Sequence, residues 1–426
     1  MAVTLRKYPY PYMGMLAINS DIDRCTLSEF EEIHRFLNTK EQTSIGEGLG
    51  LDIADSFWFY NKQHGWVDEL PAGFGDTMCY CQGTDINTYK DKEKIIKYLY
   101  CGWIDTMHTY GNFNTAETPL WTRKFAIDAM KDLSLLRNYY GIQLRIWSDH
   151  GDSYNTQGFA SGNSGGVFSS QSYHLDITRE YGVKFGWGPH RTGSFGKESM
   201  LTPTTFTAGT NKMWVFDRFI GMEPYPNYHW VGNMLDLQLT QSNLDKLKTD
   251  GLYEIVAQHM GCGLSPKEDI RENQVFIDND PIFPLEVQAA LQNLKAEQDA
   301  GNILVARSVR LLNYNLAQLY VQWSYDTVGD KVVITTIADP QFGSFVPTIN
   351  DVRGLTFEGV TADSKIFIGQ TEVADVSYPA VGVAMINWFT PDYTDYTQLN
   401  LSDLLPPINL KEKKVNSAPF KTLKNI

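Results

Sequence analysis

Two aspartates two positions apart, Asp21 and Asp23, follow the first apolar run of the chain at residues 13–19. On an extended segment, side chains at i and i+2 project to one face, so these carboxylates converge. Converging carboxylates repel unless a cation or a proton lies between them. His108 and His150 follow two later apolar runs, at 103–107 and 142–147, and His259 follows another at 252–257. One aspartate, a neutral imidazole and one or two further N or O donors suit zinc or a similar divalent ion. The other aspartate is then left to act as a base on water that the metal acidifies towards a pKa of about 7. His259 is placed to protonate a leaving group.

These residues need a scaffold that gathers strand ends. The chain repeats a helix-patterned stretch, a Gly and a short apolar strand, with four junctions that read alike: Cys101-Gly102-Trp103, Tyr140-Gly141-Ile142, Tyr181-Gly182-Val183 and Asp250-Gly251-Leu252. A Gly just past a helix end accepts the left-handed conformation that caps it. Helices are expected at 90–101, 120–140, 172–181, 244–249 and 284–300. Another opens at the capping box Ser28-Glu29-Phe30-Glu31 and carries Leu27, Phe30, Ile33 and Leu37 on one face. Strands are expected at 13–19, 51–60, 103–107, 142–147, 183–187, 212–216 and 252–257. They predict a (β/α) barrel over residues 1–306, short of the usual eight strands or open, with a strand at 303–306 able to close it. The acidic and imidazole residues fall at strand C-termini, where such barrels place their chemistry. Trp147, Asp149, Trp187 and Asp217 fall at the same ends and are expected to contact substrate.

Past residue 318 helical periodicity gives way to short strands at 319–325, 331–338, 354–359 and 365–373, with turns at Gly329-Asp330 and Gly369-Gln370. A small all-β sandwich is expected over 307–390. A tail, 391–426, carries Lys411, Lys413, Lys414, Lys421 and Lys424 with Glu412 opposing them, and reads as solvated. At 426 residues the chain is long enough for these two domains. A net charge of −14 argues against nucleic acid as the main partner. No window reaches the about 18 apolar residues of a membrane span, and the N-terminus lacks a signal-peptide core. Five cysteines make no disulfide framework, and a cytoplasmic location is expected. Ten Trp and 23 Tyr fit either a large aromatic core or exposed rings that stack on sugars.

Asn19-Ser20-Asp21-Ile22-Asp23, then His108-Thr109-Tyr110-Gly111-Asn112, then Arg145 and finally His259 resemble the ordered motifs of the polysaccharide deacetylases, the NodB-homology or carbohydrate esterase family 4 group. The resemblance covers residues 13 to about 305. It implies a distorted (β/α)7 barrel and metal-assisted removal of N- or O-acetyl groups from a polysaccharide or glycan. Carried over, Asp21 is the base, Asp23 and His108 are metal ligands, His259 is the general acid, and Arg145 orients the base. Two departures are plain. Ile22 interrupts the family's Asp-Asp pair, and Asn112 stands where the His-Ser/Thr-x-x-His motif has its second His, so Asn112 or His150 completes the ligand set.

Two further functions fit the same residues. A glycoside hydrolase on the same barrel needs two carboxylates flanking the bond, with Asp21 paired to Asp149 or Asp217. A carbohydrate-binding or assembly protein would keep the barrel and lose the ligands, as Asn112 suggests. His174 and Asp176 read as structural on a helix, while His190-Arg191 and Asp217-Arg218 follow strands and are candidates for substrate contact. His34 and His64 have no supporting context. The glycine-rich stretch Gly162-Asn163-Ser164-Gly165-Gly166 lacks the Lys of a phosphate loop, and no nucleophile elbow of a serine hydrolase occurs.

Overall fold

Short parallel strands with helices between them organise the described part of the first 306 residues. A computed structural model of the chain describes residues 2–23, 25–61, 77–111, 119–150, 156–159, 164–188, 191–192, 194–203, 212–221, 235–261, 275–277 and 280–408. The strands are β1 (Gly14–Ser20), β2 (Ala54–Asn61), β3 (Ile104–His108), β4 (Ile146–Ser148), β5 (Phe185–Trp187), β6 (Trp214–Val215), β7 (Arg218–Phe219), β8 (Tyr253–Gln258) and β9 (Ile303–Val305). They form one parallel path, β7-β8-β1-β2-β3-β4-β5-β6. The two ends of that path, β6 and β7, are separated by Phe216 and Asp217 alone. Three Cα steps reach at most about 11 Å, so the sheet curls until the two ends of that path approach one another.

The fold is therefore mixed α/β with a curled parallel sheet. Of the run expected at 212–216 only β6 is strand; β7 follows it, and Thr202–Pro203 and Arg191–Thr192 pair on their outer sides. The strand at 303–306 does not bridge the two ends of the path: β9 lies beside the first half of β1, Ile303 opposite Gly14 and Val305 opposite Leu16, while β2 pairs with the end of β1.

All seven residues of β1 are buried, as a parallel strand covered on both faces requires. Met15 and Ala17 share one core with Phe185, Trp214 and Tyr253. Leu16 and Ile18 pack with Phe36, Leu37 and Leu291 from α1 (Leu27–Asn38) and the helix Leu285–Asp299. The N-cap of α1 is Thr26, one step before the helix, and its box partner is Glu29. The box expected at Ser28 is thus two residues late. Gly102, Gly141, Gly182 and Gly251 all have positive φ, at 83°, 71°, 125° and 62°. At Gly102 the packing is also closed to a side chain, since a Cβ there would lie 1.0 Å from Nη1 of Arg307.

The region expected to be all-β opens with a helix, Ser308–Tyr320, whose Leu311, Leu312 and Leu316 join the core of Met15 and Ala17. The strand read at 319–325 accordingly starts at Val321. Two small sheets follow. One contains Val321–Asp326, Lys331–Asp339, Gly343–Phe345, Lys365–Ile368 and Thr371–Glu372. The other contains Thr356–Glu358, Val376–Ala380, Val383–Ile386 and the N-terminal strand Thr4–Leu5, which pairs antiparallel with Thr356–Glu358. The next segment runs back over the helices: Asp395 accepts from Arg35 Nε at 2.9 Å, and the Leu399 carbonyl from Lys97 Nζ at 3.0 Å. The lysines at 411–424 lie outside the described residues. Among the described residues no helix is long and apolar enough to cross a membrane.

Glu254 of β8 accepts the Gly196 N–H at 2.6 Å and the Ile255 N–H at 2.9 Å, yet burial outweighs these bonds and lifts its carboxyl to about 7. A carboxyl raised on folding holds its proton more tightly folded than unfolded. Stability conferred by the protonated form is therefore lost as pH rises from about 4.5 to about 7. Glu254→Gln is expected to flatten that decline in the denaturation midpoint; a variant with the wild-type slope would show that Glu254 is not its source.

Candidate metal centre

Asp21 and Asp23 extend β1 beyond its last residue. The Asp21 N–H donates to the Gln258 carbonyl at 2.7 Å, one further step of the β1–β8 ladder. Ile22 turns the other way: its N–H donates to Ser56 Oγ at 2.9 Å and its side chain is buried in the core. The residue that interrupts the carboxylate pair is therefore what puts both carboxylates on one side. His108 is the last residue of β3, His150 lies two past β4, and His259 directly follows β8. After His108 the chain turns through Thr109, a β-branched residue at φ 54°, held by donation from its N–H to the Ser148 carbonyl at 3.0 Å. Such a conformation is costly for threonine and is kept where the surroundings impose it.

The side chains converge. His108 Nε2 is 3.3 Å from Asp23 Oδ1, and His150 Nε2 is 3.2 Å from Asp23 Oδ2. His108 Nδ1 lies 3.5 Å from Asp21 Oδ1, and His259 Nε2 lies 3.6 Å from Asp23 Oδ2 and 3.9 Å from Asp21 Oδ2. The ring of Trp58, on β2, stacks on His108 with centroids 6.2 Å apart and meets His150 edge-on at 5.8 Å.

Asp23, His108 and His150 each offer one ligand atom, all within 4.8 Å of one another. Bonds of 2.0–2.2 Å at tetrahedral angles set ligand atoms about 3.4 Å apart, close to both distances from Asp23. Asp23 Oδ1 and both nitrogens of His108 are buried without a hydrogen bond among the described residues. Leaving such groups unsatisfied costs about 1–3 kcal/mol each, which a cation between them would offset. The donor set thus fits a divalent ion. Nothing in the geometry singles out zinc.

Asp21 has a different partner. Arg218, on β7 and 1% exposed, donates from Nη1 to Oδ1 at 2.9 Å and from Nη2 to Oδ2 at 2.7 Å. Its Nη1 also donates to Asn19 Oδ1 at 2.8 Å, and the guanidinium lies 3.5 Å from the centre of the Trp187 ring. Ser148 Oγ donates to Asp21 Oδ1 at 3.1 Å. Burial pushes the Asp21 carboxyl up, but the charges of Arg218, His108 and His259 outweigh it and hold the group below its ordinary value. Burial also raises Asp23, and His150 and His108 bring it well below that value. His259 moves the other way: burial lowers it, and Asp23 and Asp21 more than compensate, so it holds a proton more tightly than a free imidazole.

Several expected site residues lie elsewhere. Arg145 precedes β4, at the opposite end of that strand from His150. Its Nη1 donates to Asn313 Oδ1 at 3.1 Å and stands 3.7 Å from Asp351, so it does not orient Asp21; Arg218 does. In the sequence Arg218 stands out only as a possible substrate contact. The available signal was an arginine set in the apolar run Trp214-Val215-Phe216-Asp217-Arg218-Phe219-Ile220. Trp147 is fully buried and donates to Asp149 Oδ1 at 2.7 Å, while both Asp149 oxygens accept the Phe159 N–H, at 2.8 and 2.7 Å. These two residues hold the 156–159 segment and are not open to substrate. Trp187 is 2% exposed and covered by Arg218. Asp217 remains partly exposed, 3.9 Å from Lys197 Nζ. Asn112, His64 and His190 lie outside the described residues. His174 is buried, donates from Nε2 to the Gln157 carbonyl at 2.7 Å and is brought down to about 4 by burial. Asp176 pairs with Arg123 at 3.0 Å, and His34 hydrogen-bonds Asn38 at 2.8 Å.

No protein-family model matches the chain, and no curated protein matches it.

Proposed function

We propose that the chain is a metal-dependent hydrolase that removes acetyl groups from a glycan, built on a distorted (β/α)7 barrel with a β-sandwich behind it. The observation that carries this reading is the meeting of Asp23, His108 and His150 beside an arginine-held Asp21 and His259, all at or just past the C-terminal ends of parallel strands. In support of the barrel, β6 and β7, two residues apart in the chain, pair at opposite ends of the parallel path of the curled sheet. In support of the sandwich, Ile334 and Ile366 from one small sheet share a core with Phe357 and Ala384 from the other.

Asp23, His108 and His150 would hold the ion, taken here as zinc. When bound, such an ion polarises an acyl carbonyl and acidifies water. Arg218 keeps Asp21 ionised and fixes both its oxygens. Asp21 then accepts the proton of the water whose oxygen bonds to the acetyl carbon. His259, whose hold on a proton the neighbouring carboxylates strengthen, donates to the nitrogen or oxygen that leaves as the acyl bond breaks. The Trp58 ring and the buried ends of β1 and β3 exclude bulk water from one side of the site. The glycosidase pairing through Asp149 is weaker because that carboxylate is committed to Trp147 and Phe159.

The test is acetate release by the zinc-loaded chain from N-acetylated oligosaccharides and O-acetylated xylan. His259→Ala is expected to lower the rate by about 10²–10⁴-fold while metal is retained. Free reducing sugar without acetate would transfer the proposal to glycoside hydrolysis.

A further inference from the structure

Asn19 stands two positions before Asp21 on β1, so the alternation of an extended strand puts it on the face of both site aspartates. It is fully buried, and in register it lies between Ala257 of β8 and Ala54 of β2, whose side chains are small. Both ends of its amide are engaged. Oδ1 accepts from Arg218 Nη1 at 2.8 Å, and Nδ2 donates to Thr106 Oγ1 and to Ser308 Oγ, each at 3.2 Å. Thr106 Oγ1 donates in turn to Asp105 Oδ1 at 2.8 Å, and Asp105 Oδ2 accepts the Val309 N–H at 2.8 Å. Thr106 on β3 and Ser308, the first residue of the helix Ser308–Tyr320, are as buried as Asn19.

The chemistry of the neighbours fixes which way the amide faces. A guanidinium only donates, so Asn19 must turn its oxygen to Arg218 and its nitrogen to the two hydroxyls. The two N–H bonds of Arg218 Nη1 diverge in the guanidinium plane, one serving Asn19 Oδ1 and the other Asp21 Oδ1. Stacking on Trp187 sets the tilt of that plane but lets it slide. The two-pronged contact lets arginine and carboxylate shift together. Beyond Asp21, the Arg218 side chain donates only to Asn19 among the described residues. Asn19 therefore ties the arginine to β3 and to the helix Ser308–Tyr320, and so fixes where Arg218 presents Asp21.

We propose that Asn19 is a positioning residue for Asp21, acting through Arg218, with Thr106 and Ser308 holding its amide. Its effect on rate rests on the deacetylase reading above; its effect on the guanidinium does not. Two readouts on the full chain test it. Nitrogen–proton spectra resolve separate Nη protons for a guanidinium held in one orientation, and Arg218→Lys identifies the Arg218 signals by their loss. Asn19→Ala, and separately Thr106→Val combined with Ser308→Ala, are expected to average these signals. Both are expected to lower kcat for acetate release by about 10–10²-fold, with KM and bound zinc unchanged. Thr106→Ser, which keeps the hydroxyl, should leave the signals resolved. Where Asn19→Ala does not fold, the double variant carries the comparison. Signals already averaged in the wild type, or wild-type signals in the variants, would overturn the proposal, as would a rate loss that only tracks loss of zinc. A wild type that releases no acetate would sink the deacetylase reading instead. The Arg218 signals then decide alone: averaged in the variants they uphold the role of Asn19, and resolved they overturn it.

Discussion

The purified chain, loaded with zinc and desalted, is expected to retain about one equivalent of metal, and Asp23→Ala to retain none. Asp23 stands at the centre of the ligand set, with Oδ1 towards His108 and Oδ2 towards His150 and His259. Removing it deletes the charged ligand and leaves two imidazoles with nothing to bridge them. A lost supporting hydrogen bond at a metal typically costs 10–100-fold in affinity, so a lost ligand should cost more than 100-fold. The fold should survive, because the partners of Asp23 are site imidazoles and not core groups. His108→Ala should lose metal in the same way. Acid should release the ion from the wild type, since protons compete for the imidazole nitrogens. Elemental mass spectrometry decides the matter: metal kept in both variants would remove these residues from the ligand set.

Arg218→Met is expected to be the most destabilising single change at the site, by about 3–5 kcal/mol, the range for stripping one partner from a buried ion pair. The variant leaves Asp21 buried with only Ser148 Oγ still donating, and it strips Asn19 Oδ1 of its 2.8 Å bond. Arg218→Lys should recover only part of the loss, since a point charge cannot reproduce the two-pronged contact or the stacking on Trp187. The sign of the pH dependence follows from Asp21. Its carboxyl lies below the ordinary value when folded, so the pair stabilises the protein above the unfolded carboxylate pKa of about 3.9. That contribution is lost as pH falls through the lower, folded value. Urea midpoints of wild type and Arg218→Met should differ widely at neutral pH and converge in strong acid. Equal midpoints at neutral pH would mean that the pair contributes nothing net. The two experiments also separate two roles in one cluster. Asp23 is expected to govern metal, and Arg218 to govern the ionisation of Asp21.

Local pattern alone located much of this site. The i, i+2 spacing of Asp21 and Asp23 follows from strand alternation, and the structure adds that Ile22 points into the core. The left-handed glycines after the helices, and the ends of β1, β3, β4 and β8, were readable because caps and strand ends are written within a few residues. His108, His150 and His259 were found by that logic, each at or just past a strand end. Residues whose meaning depends on which strand lies beside which were not readable. Arg145 and Arg218 look alike in sequence, each beside an apolar run. Only the path β7-β8-β1 brings Arg218 to Asp21, while Arg145 is left at the far end of its strand against Asn313. Trp147 and Asp149 looked available for substrate because an apolar strand end does not reveal what covers it, and the 156–159 segment does. The helix Ser308–Tyr320 was missed for a related reason: its apolar residues face both the curled sheet and the small sheets, which blurs the one-sided periodicity of a surface helix. Most elements and the chemical types at their ends follow from propensity, capping and alternation, which are local. Which ends meet, and which guanidinium neutralises which carboxylate, follows from strand pairing and burial, which join residues as far apart as Asp21 and Arg218.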